Sequence, residues 1–133
     1  MMASFVEVSM AIRTPGLEAQ HQALTALSSR YIQVEDLPWQ ETKFKGISIK
    51  VLMEDPNTGL QTVLTKMEPG AVLTDHQHVE LEQSWVLEGS LVDHEGACTA
   101  GNFVWRPAGS RHAAHAPNGA LVLGFFLKPN KFF

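Results

Sequence analysis

Two histidines two residues apart, His76 and His78, are followed four residues later by Glu82, all inside a segment bracketed by Gly70 and Gly89. That pattern leaves few ways to fold the segment. A strand alternates its side chains with period two, so both imidazoles project from one face. Two imidazoles a few ångströms apart are half of a transition-metal site. On one straight strand Glu82 would lie roughly 20 Å from His76, at about 3.3 Å per residue. Metal–ligand bonds are only about 2.0–2.2 Å long. Either the chain turns near Val79–Leu81 and carries Glu82 onto a neighbouring antiparallel strand, or Glu82 is not a ligand. Glu80 competes with it as the acidic partner.

A second glycine- and proline-bracketed segment, Gly101-N-F-V-W-R-Pro107-A-Gly109-S-R-His112, again reads as strand, turn and histidine. His112 and His115 differ by an odd number, so on a regular strand only one can point inward. The spacing of the two segments resembles the two sequence motifs of the cupin superfamily. The first reads glycine, five residues, H-x-H, three residues, glutamate, six residues, glycine. The second reads glycine, five residues, P-x-G, two residues, histidine. The asparagine that often closes the second is Ala116 here. The motifs span Gly70–His112, and the fold-level resemblance covers about residues 31–130. It implies an all-β fold, a small antiparallel jelly-roll barrel, with one divalent metal held by His76, His78, Glu82 and His112.

The rest of the chain agrees with one small domain. It has 133 residues, 44% of them hydrophobic, and a net charge of −4 without a long charge run. That length supports one core, and the balance gives no nucleic-acid footprint. Cys98 stands alone, which excludes an intrachain disulfide and fits a reducing cytoplasm. The apolar run at the N-terminus is too short for a membrane span or a signal peptide. A soluble cytoplasmic protein is expected.

In chain order, residues 1–30 read as an N-terminal arm and one helix, and 31–133 as the barrel. Residues 3–12 alternate loosely, as an edge strand or an arm exchanged with a second subunit would. Leu17, Leu24, Leu27 and Tyr31 predict an amphipathic helix over 17–31. Tyr31–Val34 reads as a short strand. Residues 46–53 and 60–67 form a hairpin about the turn Asp55-Pro56-Asn57-Thr58-Gly59. Further strands are expected at Ser84–Leu87, Ser90–Asp93, Phe103–Arg106 and Leu121–Leu127, with a turn at Glu88-Gly89. Such spacing indicates a barrel or sandwich whose closure makes an interior for one ligand.

Other residues have plainer readings. His21 is a surface or packing residue, His94 lies in a hairpin turn, and Cys98 is an inert buried thiol. If Glu82 points inward, Ser84 and Val86 share its face while Trp85 and Leu87 face away. Either Leu123 and Phe125 or Val122 and Phe126 line the cavity. Met67, Phe103, Trp105 and Arg106 are further wall candidates.

Within the superfamily, Trp39, Gly46-Ile47, Pro69-Gly70 and the tail Phe126-Leu127-Lys128-Pro129 resemble two groups. One is the zinc-binding cupin-like domain of ChrR-type anti-sigma factors. The other is the small non-haem iron dioxygenases that cleave β-diketones or hydroxylated acetophenones. The second group often lacks the glutamate that this chain keeps at Glu82. The first normally carries an N-terminal sigma-binding helical domain, and only about 30 residues precede the barrel here, so a complete anti-sigma factor is not expected. The resemblance thus implies a metal-dependent dioxygenase acting on a small oxygenated organic molecule. The alternative is a non-catalytic zinc-binding module that senses a small molecule or oxidant. Fe(II) suits the enzyme, with Zn, Mn or Ni also compatible with the ligands. The chemistry would be metal-centred, since no separate nucleophile or phosphate-binding glycine loop is present. A homodimer is the resemblance-based expectation, with a small-molecule ligand and no nucleic-acid or membrane partner.

Overall fold

A computed structural model describes residues 11–133. The expected strand or exchanged arm at 3–12 falls almost wholly outside these. The barrel is built from β1 (Gln40–Glu41), β2 (Ile47–Glu54), β3 (Gln61–Met67), β4 (Ala71–Gln77), β5 (Glu82–Val92), β6 (Ala97–Thr99), β7 (Phe103–Arg106), β8 (Arg111–Ala116), β9 (Ala120–Phe126) and β10 (Lys131–Phe132). All pairings are antiparallel. The curled sheet runs β1-β2-β3-β9-β5-β8-β4-β10, with β6 and β7 also paired to β5. The expected hairpin appears as β2 with β3, in register from Ile47↔Met67 to Glu54↔Gln61. Ile47, Met67, Ala71, Val86, Ala116, Ala120 and Val122 form the buried core.

Two irregularities decide which side chains reach the interior. In β4 the register against β8 shifts between Leu73 and His76. Ala71 is buried before the shift, and His76 and His78 after it. Ala71 and His76 are five positions apart, an odd interval that a regular strand would send to opposite faces. The bulge restores the inward direction.

In β5 the shift falls between Val86 and Glu88. Ser84 and Val86 point inward before it, while Trp85 and Leu87 face out, as the alternation predicts. The expected turn at Glu88-Gly89 is instead a bend inside one continuous strand. A hairpin needs its two arms to pair with each other, but here the first arm pairs with β7 and β9 and the second with β6 and β8. Gly89 has φ +71°, and a Cβ there would meet the Gly119 carbonyl oxygen at 1.9 Å. Only glycine fits that crossing.

The helix expected over 17–31 is reduced to α1, Glu18–His21, followed by turns. Its intended apolar stripe finds nothing to pack on: Leu27 is 97% exposed and Tyr31 85%. Short helices owe their stability to such packing. Thr25 and Ser28 also divert the backbone, since Ser28 Oγ accepts from the Thr25 amide and bonds its hydroxyl. Tyr31–Val34 likewise forms no strand; a single 3-10 turn, Val34–Asp36, lies there. Arg13 and Thr14 tie this segment to β2, through an isolated bridge from Arg13 to Glu54 and a hydrogen bond from Thr14 Oγ1 to the Leu52 carbonyl. No helix among the described residues is long and apolar enough to cross a membrane.

Candidate metal centre

Adjacent strands place three histidines together. His76 on β4 lies directly opposite His112 on β8, and His78 follows just past the end of β4. Their ring centroids are 4.6–5.0 Å apart. One ligand atom from each lies within 4.8 Å of the other two, and all three residues are buried.

What fixes the rings also fixes their tautomers. His76 Nδ1 is 2.7 Å from the Thr74 carbonyl, which can only accept. His78 Nδ1 is 3.1 Å from the Ser110 carbonyl and 2.9 Å from its hydroxyl. His112 Nδ1 is 2.8 Å from Asp93 Oδ2. Each Nδ1 therefore donates its proton outward, and each Nε2 turns a lone pair toward the shared space. Metal-binding histidines are arranged in this way, the outer acceptor orienting the ring and raising its basicity.

Glu82 arrives from across the barrel. The chain bends at Val79-Glu80 and enters β5, which pairs not with β4 but with β7 and β9. Glu82 Oε2 lies 2.8 Å from His78 Nε2, and Ser84 Oγ donates to Oε1 at 3.3 Å. The carboxylate thus touches one histidine but is not among the three residues whose ligand atoms all cluster. Although close, His78 Nε2 and Glu82 Oε2 share no hydrogen bond, and both are sealed from solvent. With Nδ1 protonated, this contact sets lone pair against lone pair. Buried acceptors left so are costly, and a cation between them would relieve the cost. The donor set fits a divalent transition ion.

Electrostatics keep the cluster ready for one. Burial pushes His112 down to about 4, helped by the Arg106 charge and opposed by its bond to Asp93. Burial also lowers His76, against the Thr74 carbonyl. For Glu82 burial acts to raise the carboxyl, yet a hydrogen bond from His78, when a proton sits on its Nε2, and the Arg106 charge hold it below the usual range. Neutral imidazoles beside an ionised carboxylate are the forms that bind metal.

These shifts predict an acid-labile metal-free fold. An imidazole at about 4 rather than 6.5 leaves the unfolded chain binding the extra proton between those values. His112 therefore contributes its full stability above pH 6.5, and loses it as pH falls toward 4. His76 acts in the same direction. Urea unfolding at pH 7.5 and 5 should show the loss, with a slope of up to about 1.4 kcal/mol per pH unit for each such histidine. A flat profile across that window would refute it.

Asp93 is the residue that the sequence did not disclose. Its Oδ1 accepts from the Glu95 and Gly96 amides, closing a turn. Its Oδ2 takes the His112 proton and stands 2.7 Å from Arg106 Nη1. Burial acts to raise its carboxyl, but the two amides, His112 and Arg106 together pull it down to about 2. Phe132 of β10 packs its ring 5.2 Å from that of His76 and 4.9 Å from that of Phe44, closing one end of the barrel.

The other candidates lie elsewhere. His115 is exposed on β8, opposite Val72 and Val92. Glu80 and His94 are exposed in the bend after His78 and in the β5–β6 turn. His21 is in α1, half-buried. Cys98 is buried on β6, its thiol pushed up by that burial. On β9 the buried face carries Ala120, Val122 and Gly124, so Val122 rather than Leu123 faces the interior. Met67 is core. A cavity of about 350 Å³ adjoins the cluster, with His78, His112, Asp93 and Arg106 in its wall and Phe103 and Trp105 at its side.

A family model described as the ChrR cupin-like domain matches residues 27–130. The chain belongs to that family. Solved structures share the cupin fold. One is a putative acetylacetone dioxygenase from Methylibium petroleiphilum, 21% identical, with TM-score 0.74 over 83% of this chain and 84% of that one. Another is an acetylacetone dioxygenase from Acinetobacter johnsonii, 17% identical, with TM-score 0.74 over 83% and 81%. A third is a chain from the complex of Rhodobacter sphaeroides SigE with the anti-sigma ChrR, 21% identical, with TM-score 0.59 over 85% of this chain and 56% of that one. No curated protein matches by sequence. At these identities the likeness establishes the cupin fold.

Proposed function

We propose that this cupin is a metal-dependent enzyme, a non-haem dioxygenase acting on a small oxygenated organic molecule. His76, His78 and His112 hold the ion, with Glu82 as fourth ligand. The observation that carries the proposal is the cavity, because His78 and His112 belong both to its wall and to the cluster. A structural metal site is closed by its ligands, whereas a catalytic one keeps a side open. A redox-active divalent ion such as Fe(II) would supply Lewis acidity and electron transfer to O₂.

The chain's own residues do the rest. Thr74, Ser110 and Asp93 fix the three imidazoles. Ser84 steadies Glu82. Leu91 and Val104, partly buried in the cavity wall, offer an apolar flank against which a substrate is oriented. The similar acetylacetone dioxygenases make an enolisable diketone the first compound to try.

Family membership and the likeness to the SigE–ChrR complex favour a second reading, a zinc-binding module without turnover. Fe(II)-loaded protein should consume O₂ with acetylacetone or a related diketone and release a steady product. Absence of O₂ uptake across a diketone and phenolic-ketone panel, together with tight stoichiometric zinc, would select the second reading.

A further inference from the structure

We propose that Arg106 anchors the anionic oxygen of the ligand, so that the cavity takes a small organic monoanion, a carboxylate with an apolar body. This rests on reading the cavity as the ligand site.

Arg106 closes β7 and turns inward, its side chain only 11% exposed. A guanidinium carries five donors in a planar fork. Among the described residues its polar partner is Asp93, met through Nη1 alone. The remaining donors are not sealed: none of them is among the buried side-chain atoms left without a hydrogen bond. Arg106 lines the cavity, so its free edge has access to whatever enters. Arg111 also reaches the cavity wall, but Asp75 occupies its Nε and Nη2, and its side chain is half exposed. Arg106 is therefore the cation with both a free edge and a dry surrounding. In such a place a charge-assisted, forked bond to a carboxylate is strong.

Charge sets the valence of the guest. Arg106 and Asp93 cancel. Three neutral imidazoles and Glu82 around a divalent ion leave one positive charge, which a monoanion neutralises. A cavity of about 350 Å³ suits a small molecule, and Leu91 and Val104, partly buried in its wall, provide apolar flanks for its body.

The test compares acetate, benzoate and phenylacetate with their uncharged amides, by calorimetric titration of zinc-loaded protein. Wild type should bind at least one acid about tenfold more tightly than its amide. Arg106→Gln should bring acid and amide to parity. Arg106→Lys keeps the charge but loses the fork, and should weaken acid binding without changing amide binding. Should the Gln variant fail to fold, with Asp93 left unpaired, the Lys variant decides. No acid preference in wild type, or a preference that survives both substitutions because the ion alone holds the acid, overturns the proposal. If wild type takes up no zinc, the metal reading fails separately. The same comparison on metal-free protein then judges Arg106 by itself.

Discussion

His112→Ala is expected to empty the metal centre. Wild type should carry about one transition ion per chain, and the variant a small fraction of that, with affinity reduced by well over 100-fold. The scale follows from comparison: losing a residue that merely orients a ligand costs about 10–100-fold, and here the ligand itself goes. The fold should survive. The substitution removes a ring that sits beside those of His76 and His78, while Asp93 keeps its ion pair with Arg106. A strict control lies three residues away on the same strand. His115 is exposed on the opposite face, so His115→Ala should leave metal content unchanged. Elemental analysis of both variants and wild type, after identical reconstitution, makes the comparison. Equal metal in wild type and His112→Ala would mean that the cluster is not where the ion binds.

The histidines were legible because their spacing is short-range. H-x-H needs only strand periodicity, and Pro107-x-Gly109-x-x-His112 needs only a turn. Strands Phe103–Arg106 and the β2–β3 hairpin were legible for the same reason, as alternating runs between strong turn residues. The bulges were not. Nothing in Leu73-Thr74-Asp75-His76 or Val86-Leu87-Glu88 says that parity changes there, because a bulge is chosen by how two distant strands register. Carrying the alternation of Ser84 and Val86 forward sends Asp93 outward with Trp85. The bend at Glu88-Gly89 reverses this and brings Asp93 to His112. The sequence D-H-E-G also disguised it, since an aspartate opening a turn has a sufficient local explanation. Asp93 does both, with one oxygen for each task. The helix failed for a related reason. Periodicity reports which residues would share a face, not whether a surface exists to receive that face.

Removing the charge of Asp93 should have the largest effect on stability. Asp93→Asn keeps the size of the side chain but leaves the Arg106 guanidinium without its counter-charge, in a pair whose side chains are 3% and 11% exposed. Breaking a buried pair from one side costs about 3–5 kcal/mol, because the stranded charge remains desolvated. In a domain of this size that is a fall in Tm of roughly 10–20 °C. Asp75→Asn breaks a different carboxylate–arginine pair, with Arg111, in which both partners are about half exposed. Solvent screens that pair, and its Tm should match wild type. Metal binding separates the two aspartates again. With an amide at position 93, the acceptor for His112 Nδ1 is weaker and the ring is held less firmly, so zinc or cobalt affinity should fall about 10–100-fold. The optical spectrum of bound Co(II) should change with it. A variant that is merely less stable would keep the wild-type spectrum once folded and loaded. An altered spectrum at temperatures well below the Tm assigns Asp93 to the metal centre. Unchanged affinity and spectrum would confine it to the turn that its other oxygen closes.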